Sequence, residues 1–262
     1  MKKTLIALAV AASAAVSGSA MAWTASSTGG SIELGGTLTP KKTASPWEAK
    51  VSAATGLDAV VNDDQKDIQI KASSAIPLLG IRNVDSDGFI GGAEGVIATI
   101  NYGGAVDLKG FKNATTSLIL DVKNASGEKI GTLSAPFFAS GILVYQVSLN
   151  ENRGRQLASS SGNAFFGGVP LDGPSTADNG EAAYRRIVDL SSENVATLPK
   201  IDSWNNVDLD EKFSDTHVNY WGAYGGGIEK GSDITITLDK AMKSGDGPIV
   251  WKASFPVTIT YS

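Results

Sequence analysis

Residues 117–138, SLILDVKNASGEKIGTLSAPFF, contain two short apolar runs on either side of a turn. The first run is Ser117–Lys123 and the second is Gly131–Phe138. Ser126-Gly127 lies between them, and this pair is typical of a tight turn. Alternating apolar and polar residues are typical of strands that are buried on one side. The stretch therefore predicts two β-strands joined by a turn.

Runs of the same kind recur along the chain. Glycine-containing turns such as Asp87-Gly88 and Ser244–Gly247 separate them. The further runs are Ile68–Lys71, Gly95–Tyr102, Leu143–Leu149, Asp233–Asp239, Ile249–Ala253 and Phe255–Tyr261. Many short strands with such turns predict an all-β sandwich. A doubly wound α/β fold is disfavoured because helical patterns do not alternate with the strands.

One region, about residues 150–215, departs from this pattern. It is rich in glycine, serine and polar residues, and it contains a helix-like stretch from Glu181 to about Ser192. Asp178, three residues before Glu181, resembles a helix cap. One face of the predicted helix carries Tyr184, Ile187, Val188 and Ser191 at helical spacing. We expect an inserted subdomain of loops and one short helix.

The first 22 residues have the features of a secretory signal peptide. Lys2 and Lys3 precede an apolar run from Leu5 to Val16, and Ala20–Ala22 offers a small-x-small cleavage site. A run of this length is too short to span a bilayer, which needs about 20 residues. We expect cleavage before Trp23, which removes two lysines and no acidic residue, so the mature formal net charge is −7.

Composition excludes several kinds of function. The chain has no cysteine, so thiol nucleophiles, cysteine-zinc sites and disulfides are all absent. It has one histidine, His217, so a site with several histidine ligands is impossible. A net charge of −5 disfavours nucleic acid as a partner, because phosphate binding needs a basic face.

Motifs for chemistry are equally scarce, and we expect no enzyme, no cofactor and no metal. Asp85–Gly88 resembles the start of a calcium loop but lacks its closing glutamate, so it is interpreted as a turn. Gly225–Gly227 lacks the residues of a phosphate-binding loop and is interpreted as an ordinary loop. Asp202, Asp208 and Asp210 are interpreted as a solvated loop rather than as a glycosidase pair.

The two ends of the predicted mature chain carry the clearest alternation. Near the N-terminus, Ser31–Thr39 points Ile32, Leu34, Gly36 and Leu38 to one face. At the C-terminus, one apolar face holds Phe255, Val257, Ile259 and Tyr261. On alternation alone, both could be ordinary strands of a closed sandwich. An apolar strand at each end is also typical of proteins in which another chain pairs at an edge.

Taken together, the ends resemble the major subunits of chaperone–usher fimbriae, in the kappa (K-eighty-eight-like) branch. The motifs that carry the resemblance are MKKTLIALAVAASAA at 1–15, SIELGGTLT at 31–39, SPWEAKV at 45–51, TGL at 55–57 and VTITYS at 257–262. Each motif is weak alone, and their joint occurrence at the correct ends is what makes them specific. Relatives usually have a second aromatic residue where this chain has Ala49.

The resemblance implies an incomplete immunoglobulin-like sandwich that a donor strand completes. Residues 23–39 would be the donor extension, and residues 40–262 the pilin domain with its insertion at about 150–215. Ile32, Leu34, Gly36 and Leu38 would enter the groove of the next subunit. The groove edge, which is also the chaperone's recognition strand, would carry Phe255, Val257, Ile259 and Tyr261.

The partners implied are a periplasmic chaperone, an outer-membrane usher and neighbouring copies in a homopolymer, so the protein would pass through the periplasm to a cell-surface fimbrium. In the resembled adhesins the insertion binds the receptor, which predicts adhesion to host glycoconjugates. Aromatic rings and arginines in the insertion are the candidates for sugar contact, namely Phe165, Phe166, Tyr184, Arg185, Arg186 and Trp204. Two alternatives stay open: a non-adhesive shaft subunit, and a monomeric secreted carbohydrate-binding protein or enzyme.

Overall fold

One strand of 20 residues, β7 (Lys129–Ser148), organises the fold. The computed structural model describes residues 45–262 of the chain. In its first half β7 pairs with β6 (Thr115–Asn124) and β12 (Asp233–Leu238). In its second half it pairs with β11 (Asn219–Ile228) and β8 (Glu151–Ala158). All four pairings are antiparallel, so this strand belongs to both halves of a curled sheet.

The remaining elements are short. The other strands are β1 (Trp47–Val51), β2 (Asp67–Lys71), β3 (Ile76–Asn83), β4 (Phe89–Ile90), β5 (Ala98–Asn101), β9 (Ser203–Trp204), β10 (Asp208–Leu209), β13 (Trp251–Ala253) and β14 (Thr258–Tyr261). The α-helix α1 (Gly180–Leu190) is flanked by 3-10 turns at Gly173–Ser175 and Ser192–Val195.

In the part of the chain that the structure describes, the strands form one large sheet and one small one. The large sheet has the order β1-β3-β11-β7-β12-β2. Strands β6 and β8 also pair with β7, and they extend the sheet to β13, β9 and β10; β4 joins β11. The small sheet consists of β14 and β5. The predicted all-β, immunoglobulin-like class is confirmed.

Two apolar cores lie on opposite faces of the large sheet. The larger core contains Leu79, Ile81 and Tyr224, all fully buried. The smaller core lies under α1, where Ile187 packs against the other face of the sheet with Phe138. Residues 139–144 of β7 are buried throughout because they contact both cores. This double burial removes the alternation there, which is why the sequence predicts two strands where the fold has one.

Strand β11 corrects the interpretation of Gly225–Gly227 as a loop. A Cβ at Gly227 would lie 2.3 Å from the carbonyl oxygen of Ile76 on the neighbouring strand, and one at Gly225 would lie 3.0 Å from Ile187 of α1. The glycines therefore mark a close approach between strand and helix. Local propensity disfavours glycine in strands, so the sequence alone missed β11.

Helix α1 is confirmed, with its cap and its buried face each shifted by one position. The N-cap is Asn179, whose side chain accepts a hydrogen bond from the Ala182 N–H, and not Asp178. The buried residues are Gly180, Ala183, Ile187 and Leu190. Tyr184 and Val188 of the predicted face lie at its margin and are half-buried.

Candidate functional site: an open strand edge

Strand β14 pairs on one side only within residues 45–262. The backbone groups of Ser262 and Ile97 exchange two hydrogen bonds of 3.0 Å each. Because hydrogen-bonded and non-bonded pairs alternate in an antiparallel ladder, Ile259 and Tyr261 face β5 as non-bonded pairs. Their N–H and C=O groups therefore point away from β5, and they have no partner strand in the described part of the chain.

The other side of β5 is saturated, which leaves the open edge on β14. The Phe165 N–H donates to the Ala98 carbonyl oxygen at 2.6 Å, and the Ile100 N–H donates to the Phe166 carbonyl oxygen at 2.8 Å. The 165–166 loop thus takes the place of a third strand. Any chain that joins this small sheet by strand pairing must therefore add to β14.

Within residues 45–262, strand β1 pairs only with β3 and so presents a second open edge. Hydrogen bonds from Val84 N–H to the Pro46 carbonyl and from Ser52 N–H to the Leu78 carbonyl set the alternation along β1. The backbone groups of Ala49 and Val51 consequently point away from β3. Their side chains share the face of buried Trp47, yet both are exposed, Val51 by 62%.

Residues 96 and 97 connect the two open edges. The Trp47 indole N–H donates to the Val96 carbonyl oxygen at 2.7 Å, and the next residue, Ile97, pairs with Ser262. The start of β1 and the end of β14 are therefore held close together. Two adjacent strand edges with unpaired backbone groups are a template for an added strand.

The C-terminal apolar face packs against the larger core, but only in part. Phe255, Val257 and Ile259 are half-buried against that core, and Tyr261 is 37% exposed. Phe255 stacks on Tyr102 with ring centroids 4.9 Å apart. Incomplete cover along this face leaves apolar area that an added strand would bury.

A buried pair of tyrosines lies beneath this stacking. The hydroxyls of Tyr102 and Tyr224 are 2.5 Å apart, and the Tyr224 hydroxyl also contacts the Gly168 carbonyl oxygen at 3.2 Å. Burial raises the pKa of both phenols above their ordinary value. These neutral hydroxyls satisfy one another inside the core.

The predicted donor residues Ile32, Leu34, Gly36 and Leu38 lie outside the described residues, as does the predicted signal peptide. The predicted groove-edge residues Phe255, Val257, Ile259 and Tyr261 are brought together on one face of the segment that ends in β14.

The six predicted sugar-contact residues do not lie together on one surface. Phe165 is fully buried, with its ring 5.3 Å from that of Trp47, and so offers no face to a sugar. Arg186 is held by Glu229 and reaches over the Phe138 ring, so its guanidinium is already used. Phe166 is half-buried and lines a separate groove beside β14.

Two of the other three candidates, Tyr184 and Trp204, contact each other on the insertion. The rings of Tyr184 and Trp204 are half-buried and lie 5.8 Å apart. The side chain of Arg185 is 72% exposed and pairs with Glu181 one helical turn earlier. Two partly exposed rings in contact are suited to packing against a polar, ring-shaped ligand, and Arg185 is the next residue after Tyr184 along the helix.

A polar cluster that sequence reasoning missed lies next to Trp204. The Arg155 guanidinium contacts Asp208 at 2.6 Å and lies over the Tyr145 ring at 4.8 Å. Asn205 donates to the Tyr145 hydroxyl at 2.7 Å. The Asp208 side chain is only 17% exposed, so its interpretation as part of a solvated loop is wrong. No local sequence pattern predicts this cluster, because its members come from different strands and loops.

Two negative observations apply to residues 45–262. No three His, Cys, Asp or Glu side chains lie close enough together there to hold a metal ion. No helix in this part of the chain is long and apolar enough to cross a membrane.

Sequence comparison identifies the family to which this all-β chain belongs. The model of the family described as "Fimbrial, major and minor subunit" matches residues 1–262. The chain therefore belongs to this family and is a fimbrial subunit. Such subunits are structural proteins that assemble with other subunits into a fimbrium displayed at the surface.

Individual relatives are similar along their whole length. The chain is 29% identical over 287 residues to the K88 fimbrial protein AC of Escherichia coli. It is 28% identical to the F41 fimbrial protein and to the K88 fimbrial protein AD of the same organism. In each case the match covers 100% of both chains.

Proposed function

We propose that copies of this subunit polymerise by donor-strand exchange, in which residues 23–39 of one chain complete the fold of the next. The observation that carries the proposal is the pair of open edges on β1 and β14, joined through Val96 and Ile97. A strand inserted between them would satisfy the outward backbone groups of Ile259 and Tyr261. It would also cover the half-buried face that begins at Phe255.

The predicted donor strand has the chemistry that such a groove requires. Ile32, Leu34 and Leu38 share one face, and Gly36 on that face fits where the groove is shallow. Three aliphatic side chains at about 1.5–3 kcal/mol each contribute about 5–9 kcal/mol of burial energy. Backbone hydrogen bonds to β14 add to this energy.

Before exchange, the open edge needs cover, because unpaired apolar edges aggregate. In this proposal a periplasmic chaperone covers the strand that carries Phe255, Val257, Ile259 and Tyr261. Exchange for the next subunit's residues 23–39 then takes place at an outer-membrane usher, after export under the signal peptide at 1–22.

The test is Leu34→Asp in the full chain, with Thr37→Asp as the matched control on the opposite face of the same strand. We expect Leu34→Asp to abolish fibres, because a carboxylate cannot enter an apolar groove without a large desolvation cost. Thr37→Asp should still polymerise. Electron microscopy and heat-resistant ladders on gels give the readout. Normal fibres from Leu34→Asp chains would overturn the donor assignment.

We propose in addition that the fimbrium binds host glycoconjugates through the insertion. The half-exposed ring pair of Tyr184 and Trp204 favours this surface, and the exposed side chain of Arg185 follows Tyr184 on α1. The polar cluster of Arg155, Tyr145 and Asp208 adjoins it through Asn205, next to Trp204. Pyranose rings pack an apolar face on aromatic side chains while their hydroxyls bond to polar groups.

A glycan array probed with assembled fibres tests the second proposal. Arg185→Ala and Tyr184→Ala should polymerise normally and lose most of the glycan signal. Lys71→Ala is the control, since its exposed ion pair with Asp233 on the β2–β12 ladder resembles that of Arg185 in exposure. An array without any signal from wild-type fibres would instead support the non-adhesive shaft subunit.

A further inference from the structure

A groove of about 600 Å³ lies on the small sheet, within the size range of binding pockets. Its apolar lining includes Phe166, Val106 and Leu108, and its hydroxyl lining includes Thr99, Thr260 and Ser161. Among residues 45–262, no acidic or basic side chain lines it. The groove is therefore suited to a partly aromatic segment whose side chains carry hydroxyl groups and no charge.

The groove lies at the C-terminal end of the strand that the proposed donor would join. Thr260 and Ser262 of this strand's end are among its lining residues. Antiparallel strand pairs are more stable per residue than parallel ones. Among the described strands, every pair is antiparallel except those of β8 with β9 and β10, so we expect the donor to pair with β14 in the antiparallel direction. An antiparallel donor has its first residues beside Ser262, next to the groove.

The segment before the donor strand has a matching composition. Residues 23–30 read WTASSTGG, with one indole, four hydroxyl side chains and no charged side chain. Gly29-Gly30 permits the backbone conformations of a sharp turn over the end of β14. Eight extended residues can span up to about 26 Å, which is ample to reach across a groove of this size.

We propose that this groove is an anchor pocket for Trp23 of the neighbouring subunit's extension, with the indole packed on Phe166 and the segment's hydroxyls on Thr99, Thr260 and Ser161. The inference rests on the proposed donor-strand exchange and adds a contact beyond the strand itself. The anchor lengthens the interface past the β14 ladder and slows dissociation of the polymer.

Disulfide trapping in the naturally cysteine-free chain tests the contact. Trp23→Cys combined with Ser161→Cys should yield covalent ladders on boiled, non-reducing gels, because a disulfide forms only when the two Cα atoms come within about 7 Å. The control replaces Ser161→Cys by Glu128→Cys, at a turn that does not line the groove, and should give no ladder. Polymers of the Trp23/Ser161 pair without covalent ladders would overturn the anchor.

Two further results separate this inference from the donor-strand proposal. A ladder from Lys41→Cys with Ser161→Cys would show a parallel donor and overturn the anchor while leaving strand exchange intact. Failure of Leu34→Asp to stop polymerisation would overturn strand exchange itself.

Dissociation kinetics give an independent readout. Trp23→Ala fibres should dissociate about tenfold faster in guanidinium than wild type, and Trp23→Phe should recover most of the loss, as expected for an aromatic contact. Equal rates for Trp23→Ala and wild type would contradict the anchor.

Discussion

Of the two arginines on helix α1, Arg186 makes more contacts than Arg185. Its guanidinium makes two bonds of 2.8 Å to the Glu229 carboxylate and one of 2.6 Å to the Asn113 carbonyl oxygen. It also lies 4.2 Å from the centroid of the Phe138 ring. Arg186 therefore fastens the helix to the sheet, across the margin of the smaller core.

We expect Arg186→Met to destabilise the subunit by about 2 kcal/mol, because Glu229 and the Asn113 carbonyl lose a charged donor in a half-buried setting. The guanidinium unfolding midpoint of purified fimbriae measures the effect. Arg185→Met is the matched control, since the neighbouring exposed ion pair should contribute little. Equal midpoints for the two variants would contradict this role.

These neighbours also show where residue-level prediction ends. Tyr184, Arg185 and Arg186 are consecutive, and the sequence proposes all three for sugar contact. Only packing separates them: Arg186 is used internally, while Arg185 is exposed. A turn of 100° per residue sends neighbouring side chains into different surroundings.

At the scale of elements, helix α1 depends on a cap that the sequence misplaces by one residue. The Asn179 side chain accepts the Ala182 N–H at 2.9 Å, whereas Asp178 is exposed and caps nothing in the described structure. Both residue types are good caps and both precede an acidic first turn, so the pattern alone does not choose between them.

We therefore expect Asn179→Ala to cost about 1 kcal/mol, because an N-terminal backbone N–H of the helix loses its acceptor. Thermal unfolding of the fimbriae should show a lower melting temperature for Asn179→Ala. Asp178→Ala should melt within error of wild type, and the reverse order would place the cap at Asp178.

The continuity of the long strand β7 is also hidden from the sequence pattern. The sequence places two strands over this part of the chain and misses their continuity, since residues 139–144 are buried on both faces. The predicted runs place the two ends of β7 within two residues, at Gly131 and Leu149 where the strand begins at Lys129 and ends at Ser148.

At the scale of the whole molecule, the buried phenols of Tyr102 and Tyr224 make stability depend on alkaline pH. Burial raises the pKa of each in the folded state, while in the unfolded chain they ionise near pH 10. Above that pH the unfolded chain releases protons that the folded chain retains, so the free energy of unfolding falls as pH rises. The contribution is fully present below about pH 10.

The expected loss is about 1.4 kcal/mol per pH unit for each tyrosine above pH 10. Guanidinium unfolding midpoints of the fimbriae, taken from about pH 8 to about pH 11.5, would measure this loss of stability. This range extends to both sides of the ordinary tyrosine pKa. The unfolding midpoint of the double variant Tyr102→Phe/Tyr224→Phe should fall less steeply with pH than that of wild type. Deprotonation of lysines affects both proteins equally and so does not change this comparison. Parallel declines would mean that these phenols do not control alkaline stability.

The sequence by itself determined the all-β class, helix α1 to within a residue or two, and the alternating C-terminal face, because these depend on local periodicity and turn chemistry. It also pointed to a fimbrial family through motifs at its two ends, and the family match confirms this. The tertiary structure alone decided that β1 and β14 each have an open edge, that β11 is a glycine-rich strand, that Phe165 is buried, and that Arg186 is held by Glu229. Edge and burial depend on which distant segments pair and pack, and no local pattern records those partners.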